Sequence, residues 1–266
     1  MKIQEVLRAL ERFAPLPLQE DYDNAGLQVG LTEAEVSGAL LCLDVTEKVV
    51  DEAEKKGCNL IVAHHPLIFR RLACVSNQDY VQRTVYKAIR KGIAIVAMHT
   101  NLDNAVGGVN YKIAEHMKLG DVKILGDKHT YENADGTYPY GSGVVGELPA
   151  EMAAVDFIQL LKREFGVKSL QANQLLSRKI RRVALCGGAG SFLLRAAIAA
   201  GADAFVTGEM GYHEFFGHEQ ELQICVIGHY QSEQYTCELL QELLAKVCPD
   251  VRTTIVETNT NPIIYI

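Results

Sequence analysis

The feature that most constrains the fold is a recurring unit. A short apolar run without alternation is followed by a helical stretch closed by glycine, a second apolar run, and then a third that ends on histidine. Residues 38–43 read as a buried strand, Thr46 can cap a helix running to about 56, Gly57 stops it, and 59–63 form a second strand. A further helix over about 80–91 ends at Gly92, and a third strand over 93–98 delivers His99. The order returns some 140 residues on. Residues 183–186 are a strand, a Gly-rich turn leads into a helix over about 191–200, Gly201 ends it, 204–207 form a strand, and 222–227 deliver His229. Strands this apolar suit a parallel sheet covered on both faces, which predicts an α/β fold of two similar domains from duplication of a β-α-β-α-β unit. The strand ends of the two copies are expected to face one crevice, where open α/β sheets bind ligands.

On this reading residues 1–122 with 232–266 form the first domain and 123–231 the second. An amphipathic helix over about 3–13 precedes a turn-rich segment, 22–30, that closes in a short strand. Residues 121–177 carry a polar turn at 132–136, a strand at 143–146 and an amphipathic helix over about 150–165, with no evident chemistry.

At 266 residues the chain can bury a sizeable core without disulfides. A formal net charge of -7 disfavours extended nucleic-acid binding, which rests on neutralising many phosphates. No apolar run approaches the roughly 18 residues that span a bilayer, and the charged start is not a signal peptide, so the cytoplasm is the expected compartment. The seven cysteines contain no C-x-x-C pair and mostly sit inside apolar runs, as at Cys42 and Cys225, where a free thiol serves as a small hydrophobe.

Chemistry concentrates where strands run out. His64 and His65 precede Pro66, His99 is followed by Asp103, and His229 is followed by Glu233. Adjacent side chains at a strand end diverge, so His64 and His65 can each reach a different ion. The i, i+4 spacing of His229 and Glu233 puts both on one side of a helical turn, from which Glu233 could bridge two ions. Three histidines and two carboxylates suit Zn, Fe, Mn, Co or Ni better than Ca or Mg. His116, His129 and His218 read as solvated, and His213 stays open because Glu209 precedes it by four residues.

The loop Gly187, Gly188, Ala189, Gly190, Ser191 could seat an anion on its backbone N–H groups. It lacks the Lys-Ser/Thr of a P-loop, and Leu193 stands where a dinucleotide fingerprint needs its third glycine. A tight turn for close packing is the simpler use of those glycines.

Residues 22–30, 63–67, 99–103, 207–209 and 228–233 resemble, in order, the signature blocks of the NIF-three-like family, whose bacterial members are often called GTP cyclohydrolase I type 2 homologues. The resemblance implies a ring-shaped homohexamer and two divalent metal ions per subunit, held by His64, His65, Asp103, His229 and Glu233, with Glu233 shared. It implies metal-dependent hydrolysis of a nucleotide-like substrate. In that scheme His99 or Glu209 transfers protons, and Gly187, Gly188, Gly190 and Ser191 seat the phosphates. The alternative is a metal-trafficking or regulatory protein without hydrolase turnover.

Overall fold

The computed structural model describes residues 1–264. In chain order the elements are α1 (Ile3–Phe13), β1 (Gly26–Val29), β2 (Ala39–Cys42), α2 (Glu47–Lys55), β3 (Leu60–Ala63), α3 (Tyr80–Lys91), β4 (Ala94–Ala97), α4 (Thr100–Asn104), α5 (Val109–His116), β5 (Gly120–Ile124), β6 (His129–Asn133), β7 (Gly136–Tyr140), β8 (Val144–Met152), α6 (Ala154–Glu164), β9 (Gln171–Ala172), β10 (Ile180–Cys186), α7 (Leu194–Ala199), β11 (Ala204–Thr207), β12 (Gln223–Val226), α8 (His229–Glu233), α9 (Thr236–Val247) and β13 (Thr253–Ile255). They form two compact units, residues 1–102 with 236–266 and residues 103–235.

The first unit holds a five-stranded sheet in the order β1-β4-β3-β2-β13. Its three pairings from β4 to β13 are parallel, and β1 runs antiparallel on β4. Every residue of β2, β3 and β4 is buried, as their unbroken apolar composition requires. Thr46 caps α2 by accepting the Val49 N–H, and Asp79 caps α3 by accepting that of Gln82. Gly92 ends α3 at φ +64, in the left-handed conformation that glycine adopts without a steric penalty. The core between these helices and the sheet includes Leu40, Val49, Ile61, Val85, Ile93 and Ile95.

The second unit holds a six-stranded sheet, β5-β8-β10-β11-β12-β9, in which β10, β11 and β12 are parallel. β8 and β9 flank them antiparallel. The three parallel strands thus follow the same connectivity in both units, and a short antiparallel strand borders the third strand each time.

The expected repeat is incomplete. Between β11 and β12 the chain makes only a 3-10 turn at Tyr212–Phe215, where the first unit has α3. Residues 103–122 and 232–235, expected with the first domain, group with the second unit, where β5 adds to β8. Residues 150–152 end β8, and α6 begins at Ala154. The polar turn at 132–136 is the tip of the β6–β7 hairpin. Of the seven cysteines, six are buried and Cys74 is exposed. No described helix is long and apolar enough to cross a membrane.

A candidate metal centre

In the first unit, β3 hands directly into His64 and His65, and the chain leaves β4 through Met98 into His99. The three rings gather, with centroids 4.8 Å apart for His64–His65, 5.3 Å for His64–His99 and 5.5 Å for His65–His99. One ring nitrogen from each lies within 4.8 Å of the others, a grouping that could hold a metal ion. His99, expected to carry protons, is therefore a member of this cluster.

What lies behind each ring defines its tautomer. His64 Nδ1 is 2.9 Å from the Met98 carbonyl, His65 Nδ1 2.8 Å from Asp44 Oδ1, and His99 Nδ1 2.7 Å from Asp23 Oδ1. Carbonyl and carboxylate oxygens only accept, so each Nδ1 carries the hydrogen and donates it, and in the neutral ring each Nε2 holds the lone pair. A hydrogen-bond acceptor on the far nitrogen is what fixes a metal-ligating histidine and raises its basicity.

Asp23 is clamped in turn. Its Oδ2 accepts the Thr100 N–H at 3.0 Å and the Thr100 hydroxyl, while that hydroxyl oxygen accepts the Glu20 N–H at 2.9 Å. Burial pushes the Asp23 carboxyl up, but the bonds from His99 and Thr100 outweigh it and hold the group at about 2. Buried Asn101 accepts the His99 N–H and donates to the Ala14 carbonyl, tying the His99 loop to the end of α1. Asp44 also takes the Thr260 hydroxyl, at 3.0 Å, and stays below the usual carboxylate range, because bonds from His65 and Thr260 overcome burial.

In the second unit, β12 ends at Val226, and Gly228 at φ +98 opens α8, whose first and last residues are His229 and Glu233. His229 stands between two carboxylates. Its Nδ1 is 2.8 Å from Glu209 Oε1, and its Nε2 is 3.1 Å from Oε2 of buried Glu233. A neutral imidazole has one N–H and can donate to one of these oxygens, so the pair Nε2 and Glu233 is satisfied by a second proton or by a cation held between them. Nitrogen and oxygen ligands lie about 2.0–2.2 Å from a zinc ion, which puts two neighbouring ligands about 3 Å apart. The donor set fits a metal.

Glu209, expected as a proton carrier, stands behind His229. The glycine loop departs from expectation. The Gly187 N–H goes to Asn110 Oδ1, the Gly188 N–H to Ser232 Oγ and the Gly190 N–H to Thr207 Oγ1, so these three amides are not available to a phosphate. Helix α7 behind Ser191 has six residues and follows a 3-10 turn, which leaves no extended N-terminus to attract an anion. The glycines serve close packing: a Cβ on Gly188, already at φ +59, would collide with a Glu233 carboxylate oxygen, and one on Gly208 would press on the Gly188 carbonyl and Ser232. Asp103 is half-buried on α4, and its backbone carbonyl accepts from Asn110. His213 packs against Tyr212 and Phe216.

The sequence reading missed Asp23 and Asp44 as supports. Asp44 follows β2 as the histidines follow β3 and β4, so an acid at a strand end was the available signal.

Residues 1–262 match the family described as Duf34/NIF3 (NGG1p interacting factor 3). The chain belongs to this family. It is 35% identical to a GTP cyclohydrolase 1 type 2 homolog of Clostridium perfringens over 88% of this chain and 87% of that one. A protein of the same name from Campylobacter jejuni is 27% identical over the full length of both. Among solved structures, a Staphylococcus aureus hypothetical protein superposes with a TM-score of 0.90 at 29% identity, covering 100% of this chain and 99% of that one. A Bacillus cereus protein related to NIF3 does so with a TM-score of 0.87 at 26% identity, over the same shares. The Duf34/NIF3 assignment agrees with the mixed α/β fold and with histidine and glutamate groups suited to a metal.

Proposed function

We propose that this chain holds two divalent ions through His64, His65, Asp103, His229 and Glu233, with Glu233 shared, and hydrolyses a nucleotide-like substrate. The observation that carries this reading is His229 bracketed by two carboxylates, an arrangement that a cation at Nε2 completes. Bound ions would supply a Lewis acid and an activated water, which suits hydrolysis. The relatives' name, GTP cyclohydrolase 1 type 2 homolog, agrees with that reaction class.

The remaining work falls to side chains. Asp44 and Glu209 hold His65 and His229 in the tautomer that presents Nε2. His99 is not among the five proposed ligands, so its Nε2, with Nδ1 locked by Asp23, is left to accept and return a proton. Glu209 has a positioning role, so Glu209→Gln should weaken metal retention more than it slows turnover per bound metal.

The test is formate release from GTP by protein loaded with zinc, manganese or iron, comparing wild type with His99→Ala. Turnover in wild type, and its loss in a variant that keeps its ions, supports the assignment. Loaded wild type that turns over no nucleotide yet gives up its ions to a competing chelator would favour metal trafficking instead.

A further inference from the structure

The second unit contains two cavities that share a wall. One, of about 480 Å³, is lined by Ala189, Ser191, Glu209 and Val226 together with Gln171 and Met210. The other, of about 490 Å³, is lined by Gln171 and Met210 again, and by Gln174, Tyr212, Phe216 and Glu219. Each has the volume of an ordinary small-molecule site. Together they lead from the carboxylate that backs His229 to an aromatic wall.

That wall is unusual for a chain of net charge -7. Tyr212 is 74% exposed and Phe216 56% exposed, on one short connection, with ring centroids 5.4 Å apart at 74°. Exposed aromatic faces of this kind are stacking platforms for flat ligands. The polar lining is the Glu209 and Glu219 carboxylates, the Gln171, Asn173 and Gln174 amides and the Ser191 hydroxyl, with no lysine or arginine among the described lining residues. Such a lining repels phosphate and favours a neutral ring carrying N–H donors on one edge.

We infer that this groove is a subsite for a planar nitrogen heterocycle, stacked on the exposed face of Tyr212 and meeting the near-perpendicular Phe216 ring edge-on, with its N–H edge toward Glu219. The inference rests on the nucleotide-like reading above and refines it: the base lies in the groove, and any phosphate lies elsewhere. Guanine fits the chemistry best, since its N1–H and exocyclic amino group can both donate to one carboxylate, whereas adenine offers only one such donor on that edge.

The test is calorimetric titration of the full-length protein with guanosine and with adenosine, carried out on wild type, the Tyr212→Ala/Phe216→Ala double variant and Glu219→Gln. Metal content and oligomeric state are measured on the same samples. Because both aromatic side chains are exposed, their truncation spares the core, and circular dichroism checks this. Saturable guanosine binding to wild type, weakened about tenfold or more in the double variant, is expected from a stacking contribution of about 1–3 kcal/mol per base. Glu219→Gln should remove the preference for guanosine over adenosine.

Wild type that binds no guanosine, or a double variant that binds it equally well, overturns the inference. So does a double variant whose only change is in oligomeric state, which would make the aromatic face a contact between copies. Guanosine binding that survives in a metal-free His64→Ala variant keeps the subsite standing even if the dinuclear reading fails.

Discussion

The two units use the same three-stranded parallel core and differ in how they finish it. In the first, capped helices α2 and α3 complete both crossovers, and the histidines stand on the strand ends themselves. In the second, glycines and 3-10 turns replace much of that helix, and the donors move onto a five-residue helix, α8. The first solution gives a rigid cluster held from behind by Asp23, Asp44 and a backbone carbonyl. The second gives a close-packed loop in which Gly187, Gly188 and Gly190 leave no room for a Cβ, and an open groove where a helix is missing. One core therefore supports two kinds of site, according to how the connections are built.

The second unit's dependence on glycine is the sharpest place to break this contrast. Gly188→Val adds a branched side chain at a left-handed φ and against Glu233, and it should destabilise the protein by about 3 kcal/mol while displacing the Glu233 carboxylate. Chemical denaturation together with metal content reads both effects. Unchanged stability would mean the loop has room that the packing denies.

The first unit is fastened differently, through its C-terminal strap. Glu52 accepts the Glu257 and Thr258 N–H groups and the Thr258 hydroxyl, and despite the upward push of burial these bonds and Lys56 hold it at about 2. A depressed carboxylate stabilises above its unfolded-state pKa, and that contribution is lost as pH falls through the folded value. Glu52→Gln should therefore cost about 2 kcal/mol near neutral pH. The gap from wild type should shrink below about pH 4.5 and close near pH 2, as followed by urea unfolding across that range. A gap independent of pH would remove the charge from the explanation.

Much of this was legible in the sequence. Unalternating apolar runs ended by histidine located β3, β4 and β12 and the residues His64, His65, His99 and His229, because burial on both faces leaves a strong signal in composition. Other parts left none. β13 is a three-residue strand with two threonines, held in place by pairing with β2. The loop at Gly187 to Ser191 has the composition of an anion seat, and nothing local shows that Asn110, Thr207 and Ser232, distant in sequence, take its amides. Asp23 and Asp44 act through the rings they support, and a single aspartate after a strand or in a loop is too common to stand out.

Those supports allow the two halves to be compared at equal chemistry. Asp44→Asn removes the charge behind His65 and should weaken metal binding about 10–100-fold without unfolding the protein. Glu209→Gln makes the same change behind His229, but Glu209 is more exposed, so water can replace it and the loss should fall near the lower end, about tenfold. Competition with a metal-indicator dye measures both. A larger loss from Glu209 than from Asp44 would reverse the ranking of the two halves.

The central proposal is that Glu233 is shared by two divalent ions. Its direct test is elemental analysis of protein purified without chelator or nickel affinity, comparing wild type with Glu233→Gln. About two ions per chain, lost together in the variant, is the predicted result for a shared ligand. Wild type with no tightly bound ion, or a variant that keeps its full complement, would contradict it.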